Sequence, residues 1–292
     1  MNILRVSHRT SYRYAQPVAL GEHRLMCRPR DSHDLRLLDT GISISPQPAT
    51  LRWIHDVFGN SIAIAVFEES ADELVFESTF RAAHYPIPER TIVIDEHAAT
   101  LPFSYTAAEE LDLASLKARH YPDPDHRLDA WVKELLATVP GLKTMDVLLA
   151  LVARIKHDFA YRRREESGVQ SPLETLELAS GSCRDFAVFM MDAVRCLGLA
   201  AQFVSGYLYD EALVDAGNGL VGGGATHAWV QVYLPGVGWV EFDPTNALVG
   251  GRNLIRVAVA REAAQAAPLA GSFTGAANDF LGMSVDIEVT AE

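Results

Sequence analysis

The sequence predicts an α+β protein: a β-rich N-terminal part, then helices packed on a mainly antiparallel sheet. Three observations carry this. The first hundred residues hold period-two strand patterns, and no long helical pattern occurs before about residue 105. Helical patterns then cluster up to residue 197. Strand patterns return after it, and helices grouped before strands favour α+β. A length of 292 residues is enough for about two domains. The expected division is residues 1–100, a β-sheet or sandwich, and residues 101–292, a helix-and-sheet core carrying the C-terminal strands.

The elements follow in order. Leu4, Val6, His8, Thr10, Tyr12 and Tyr14 alternate with Arg5, Ser7, Arg9, Ser11 and Arg13, a strand signature. "LRWIHDVFGNSIAIAVF" reads as a hairpin turning at Gly59-Asn60, and "ELVFESTF" and "RTIVID" as further strands. "HYPIPERT" and "TLPF" mark the boundary region. "HRLDAWVKELLATV" is helical. "TMDVLLALVARIKHDF" opens on Thr144 as N-cap, and "SPLETLEL" on Ser171 with Pro172 and Glu174. After the helix of residues 183–197 come "AQFVSGYLY", "THAWVQVYL", "GWVEFD", "NLIRVAVA" and "MSVDIEVT", all strands.

Composition narrows the function. The net charge is −13, from 25 basic and 38 acidic residues, so no basic field exists to hold nucleic acid or an anionic membrane. The one basic run, residues 162–164, precedes Glu165 and Glu166 and reads as a solvated loop. No signal peptide is expected, because Arg5 and Arg9 interrupt the N-terminus. The apolar run 147–153 falls far short of the ~18 residues of a spanning helix. Three cysteines, an odd and low count, fit a reducing compartment, and the cytoplasm is the expected location. The N-terminal histidines (His8, His23, His33, His55, His84) and Cys27 have no metal-ligand spacing, and neither metal nor cofactor is expected. "DAGNGLVGGGAT" lacks the Lys-Ser/Thr ending of a phosphate loop; a flap or a plain connector are the two readings.

Chemistry concentrates on "SGSCRDFAVFMMDAVRCLGL". Ser182 caps this helix with Asp185 three residues on, and Gly198 ends it. Cys183 is then the first helical residue, where unpaired N–H groups and the helix dipole favour a thiolate. The apolar stripe Phe186, Ala187, Met190, Ala193, Val194 and Leu197 extends back to Cys183, so the thiol faces whatever the helix packs against. Cys196 lies ~20 Å away along the same helix, too far to bridge.

"THAWVQVYLPGVGWVEFDPTN" supplies a candidate base and its partner. If Leu234 pairs with Gly238, Val232 faces Val240 and Val230 faces Phe242 on one side. The other side carries His227, Trp229, Gln231, Tyr233, Trp239, Glu241 and Asp243. Asp243 then sits one diagonal step from His227, ~7–8 Å between backbones. Cys183, His227 and Asp243 together have the residue types of a nucleophile, a base and an orienting carboxylate.

These three motifs resemble the transglutaminase-like superfamily: Cys183-Arg184-Asp185-Phe186, His227-Ala228-Trp229 and Asp243-Pro244-Thr245, in that order, over roughly residues 145–260. The resemblance implies a papain-like arrangement with Cys183, His227 and Asp243 as catalytic triad. It also implies a β-rich N-terminal domain of the bacterial members and acyl transfer through a thioester on a peptide or carboxamide substrate. Tyr161 occupies a place where relatives carry an aromatic; it lines the cleft, helps an oxyanion, or is a core tyrosine. Trp229 and Trp239 either roof the cleft or pack under the helix. Two other classes fit the residues: a peptide-binding module that keeps the fold without the chemistry, and a metal hydrolase on the same three side chains.

Overall fold

A computed structural model describes residues 2–85, 92–164, 168–209 and 224–292. The glycine-rich segment read as a flap or connector lies, through residue 223, outside them, as do Glu165 and Glu166.

The N-terminal part is a sandwich. Strands β1 (Asn2–Leu20), β2 (His23–Arg28), β3 (Leu35–Ser45), β4 (Thr50–His55), β5 (Ser61–Val66) and β6 (Ser70–His84) divide between two sheets. One contains β1, β6 and β3 in that order, the other β2, β5 and β4. Tyr14, Val18, Leu25, Ala63, Leu74 and Phe76 pack together between them. The hairpin read at Gly59-Asn60 is present, with His55 paired to Ser61. Its turn is held by Asp56, whose carboxylate accepts the N–H groups of Phe58 and Asn60.

Helices α1 (Ala107–Lys117), α2 (Arg127–Leu136), α3 (Thr144–Asp158), α4 (Pro172–Leu178) and α5 (Cys183–Cys196) follow, with short strands β7 (Ala160–Tyr161) and β8 (Ser180–Gly181) flanking α4. The main antiparallel sheet is built from β9 (Ala201–Leu208), β10 (Thr226–Leu234), β11 (Gly238–Asp243), β12 (Leu248–Val249) and β13 (Leu254–Ala260), ordered β12-β11-β10-β9-β13. Its Ala228, Val230, Val232, Leu234 and Phe242 share one apolar cluster with α2, α3 and α5. The C-terminal strands leave this core. β14 (Leu269–Ala270) pairs with β2, while β15 (Phe273–Thr274) and β16 (Phe280–Ala291) both pair with β1. "MSVDIEVT" is therefore a strand, as its alternation indicates, but it closes the N-terminal sheet.

Several sequence expectations shift. "RTIVID" forms no strand over residues 92–95; the Asp95 N–H instead donates to Pro235 O, docking the segment on the β10–β11 turn. Gly236, at φ +90°, allows that approach, since a Cβ there would lie 2.5 Å from the Asp95 carboxylate. Thr144 is inside α3 and not its cap, because its hydroxyl is taken by Ala98 O. Arg164 does not lie free in a solvated loop: it donates to the buried Asp185. Helix α5 is buried on more than one stripe. Val188, Phe189, Met191 and Asp192 are covered as well, because helices pack on its far side. Asp192 receives Arg119, and Arg195 donates to the carbonyls of Leu116, Ala201 and Arg261, so these buried charges are met by partners.

Candidate active site

Cys183 sits at the first turn of α5, as its sequence context implies. The cap is a carboxylate reaching back: Asp185 Oδ2 accepts from both the N–H and the hydroxyl of Ser182, each at 2.8 Å. Its Oδ1 accepts from Arg164 and from the Gln170 N–H, both at 2.7 Å. Asp185 is therefore fully engaged. It ties the loop before α4 to the residue next to the thiol. At the other end Gly198 (φ +78°) donates to Arg195 O and Leu199 to Val194 O, a Schellman stop. As the first helical residue, Cys183 carries an N–H with no intrahelical acceptor.

The β10–β11 register is the one the apolar pattern indicates: Leu234 opposite Gly238, Val232 opposite Val240, Val230 opposite Phe242. It brings His227 and Asp243 together, with the ring Nε2 2.8 Å from Asp243 Oδ2. Asp243 is held by its own turn. Oδ1 accepts the N–H groups of Thr245 and Asn246, and Oδ2 also accepts the Asn246 side-chain amide. With Nε2–H committed to the carboxylate, Nδ1 is the other working nitrogen. It has no hydrogen-bond partner among the described residues, and Cys183 lies alongside the ring.

Burial, taken alone, would make the His227 ring neutral. The Asp243 carboxylate and the neighbouring Cys183 sulfur outweigh it and push its pKa up to about 10. Burial would likewise raise Asp243, but His227, Asn246 and the Thr245 N–H hold it below the usual carboxylate range. All three residues are buried: His227 is 1% exposed, Asp243 0% and Cys183 7%.

Tyr161 is half-buried. It pairs with Gly181, its ring meets Phe186 edge-on, and after burial the Cys183 sulfur is the next cause raising its pKa. It packs against the main apolar cluster, at the end that also holds Cys183 and Phe186. Trp229 stacks on His227 with centroids 5.9 Å apart, but on the sheet face away from α5, among Val204, Leu208 and Leu254. Gly206 makes room for it: a Cβ there would lie 2.6 Å from the indole and 2.1 Å from Ile255 O. Trp239 packs near α1 with Tyr105, Leu113 and Tyr233. Neither tryptophan packs under the cysteine helix.

Sequence reasoning passed over a buried polar row two residues from Asp243. Gln202 donates to Gln231, Gln231 to Glu241, and Arg256 bridges Glu241 and Asp34 of the N-terminal part. Burial pushes Glu241 up to about 7, against the pull of Arg256. A carboxyl with a raised folded pKa stabilises fully below its unfolded value of about 4.3 and loses that contribution as pH rises to about 7. Glu241→Gln should therefore melt several degrees above the wild type at pH ~8, with the gain gone by pH ~4. Thermal melts followed by circular dichroism at the two pH values check this.

Known proteins resemble both parts of the chain. The transglutaminase-like superfamily profile matches residues 130–244, and the profile of the bacterial transglutaminase-like N-terminal region matches residues 4–83. An uncharacterised protein of Mycobacterium tuberculosis is 30% identical over 298 residues, covering 97% of this chain and 91% of its own. The chain belongs to the transglutaminase-like superfamily. A provisionally assigned cysteine protease of Cytophaga hutchinsonii shares the fold, with TM-score 0.70 at 19% identity over all of this chain and 91% of that one. A protein-glutamine gamma-glutamyltransferase of Pseudomonas aeruginosa is 36% identical over 105 residues, 34% of this chain and 15% of its own. The superfamily places both chain halves: its core spans α2 to the Asp243 turn, and its bacterial N-terminal region spans β1 to β6.

Proposed function

We propose that this superfamily member is a cysteine-dependent acyl-transfer enzyme acting on peptide or carboxamide bonds. The observation that carries the reading is the buried His227–Asp243 pair set against a cysteine at a helix N-terminus. The imidazolium and the free amide N–H groups turn positive potential toward the sulfur. Cys183 attacks the carbonyl carbon, and the Cys183 N–H receives the developing oxyanion. His227 delivers its Nδ1 proton to the departing amine, which leaves a thioester. Water or an amine then attacks the thioester, giving up a proton to Nδ1 as Cys183 leaves. Asp243 keeps the ring in the tautomer and orientation that both steps need. The substrate is a peptide or protein.

The test is thiol selectivity. Burial pushes Cys27 and Cys196 up to about 12. A neutral-pH alkylating agent should therefore label Cys183 far ahead of both, and a peptide aldehyde should trap a thiohemiacetal on Cys183, both read by mass spectrometry. Equal labelling of the three cysteines, with no trapped adduct, would favour the binding-module reading.

A further inference from the structure

We propose that the open side of the N-terminal sandwich is a docking groove for an acidic, extended segment of the peptide substrate, an inference that rests on the peptide-directed reading above. The two sheets end in edge strands there. Among the described residues β3 pairs only with β6, and β4 only with β5. Between these edges lies a cavity of about 380 Å³ lined by Arg28, Arg30, Leu37, Trp53, Ile54 and His55.

The two arginines are held in place without a carboxylate partner among the described residues. The Arg28 guanidinium lies 5.6 Å from the Trp53 ring centroid, and Trp53 is 45% exposed. Arg30 donates to Phe58 O at 3.3 Å and packs over Gly59, where a Cβ would come 2.5 Å from its Nη1. Asp31, the carboxylate of this lining, is engaged by the Leu37 N–H at 2.6 Å. Arg28 and Arg30 flank the buried Pro29, so they are two positions apart on chain whose φ is fixed between them. Extended chain spaces such residues by about 7 Å. An extended peptide with acidic residues at alternate positions has the same repeat, and each carboxylate matches a guanidinium fork. A densely charged polyanion such as nucleic acid is repelled by the overall charge of −13, whereas a short peptide responds mainly to the nearby arginines.

A second cavity joins the groove to the sheet that carries His227. Arg30 also borders a cavity of about 230 Å³ that reaches Arg256 and Val259 of β13. The strand register sets Arg256 across Gly206 from His227. Two strand spacings make that about 10 Å between backbones.

Calorimetric titration of the full chain carrying Cys183→Ala tests the groove without turnover. The probes are a blocked Glu-Ala-Glu-Ala-Glu peptide, its Gln and Lys counterparts, and a single-stranded oligonucleotide of equal charge. The acidic peptide should bind best. Arg28→Gln with Arg30→Gln should weaken it about tenfold or more, and Trp53→Ala several-fold. The Trp53 variant serves as the independent arm should the double variant fail to fold. The groove is overturned by equal binding of the Gln peptide, or by affinity unchanged in the folded variants. Tighter binding of the oligonucleotide overturns a peptide occupant. No peptide binding to the Cys183→Ala chain beside selective Cys183 labelling of the wild type would overturn the groove alone; peptide binding beside unselective labelling of the wild type would overturn the enzyme reading alone.

Discussion

Replacing Cys183 with alanine is expected to lower kcat/KM by about 10⁴-fold or more on the first peptide or amide that the Cys183 trap identifies. The fold should survive. The change removes one sulfur from a residue at the edge of the core, and the Ser182–Asp185 cap that starts α5 does not involve it. What disappears is the covalent route. Without a thiolate no thioester forms, and the residual rate reflects binding and the helix-start N–H groups alone. The stronger form of the prediction concerns coupling. If Cys183 and His227 act as one unit, Cys183→Ala combined with His227→Ala is scarcely slower than Cys183→Ala by itself. A further loss of about 10²-fold or more in the double variant would mean His227 works through some other group. Steady-state kinetics on the four proteins, with melting curves as the folding control, give both numbers.

The features that local rules govern were legible in the sequence, and those set by distant packing were not. The cap at Ser182, the stop at Gly198 and the Leu234–Gly238 register each follow from a few adjacent residues, and each is found. The register matters most, because it alone brings His227 to Asp243. The α1 helix was passed over although Thr106 and Glu109 form a capping box, a signal of the same kind. Asn246 was passed over too, although it directly follows the Asp-Pro-Thr motif and donates twice to Asp243. Other features carry no local signal. Alternation identifies residues 283–290 as a strand but cannot say that its partner is β1, almost the whole chain length away. Nor can a helical stripe reveal that α5 is covered on its far side, which depends on where α2, α3 and α4 come to rest. The face of Trp229 is fixed by the two-residue period, but its neighbours come from β9 and β13, and Gly206 is small because of them.

Asp243→Asn is expected to cost about 10⁴-fold in kcat while leaving the backbone in place. The reason lies in which atoms of Asp243 are already committed. Oδ1 accepts two backbone N–H groups, so the amide oxygen of the variant is drawn there and its NH₂ is turned toward His227 Nε2. Two donors cannot face each other. The ring shifts its proton to Nδ1, and the nitrogen beside the sulfur can then no longer accept one. The charge balance changes as well: with the carboxylate gone, burial governs His227 and pulls its pKa down. This leaves a signature in stability that is independent of any substrate. In the wild type the ring's folded pKa of about 10 stands above the unfolded value of about 6.5. Its contribution is fully present below pH ~6.5 and is lost as pH rises through ~10. The depressed Asp243 carboxyl acts in the opposite sense. It contributes above the ordinary carboxylate range and loses that contribution as pH falls below it. The gap in melting temperature between wild type and variant should therefore be widest between about pH 5 and 6.5 and should narrow on both sides. Melting curves from about pH 3 to 10 measure it. A gap that stays constant across that range would mean the two side chains carry no charge as a pair, and His227 would then lack the imidazolium that the proposed chemistry requires.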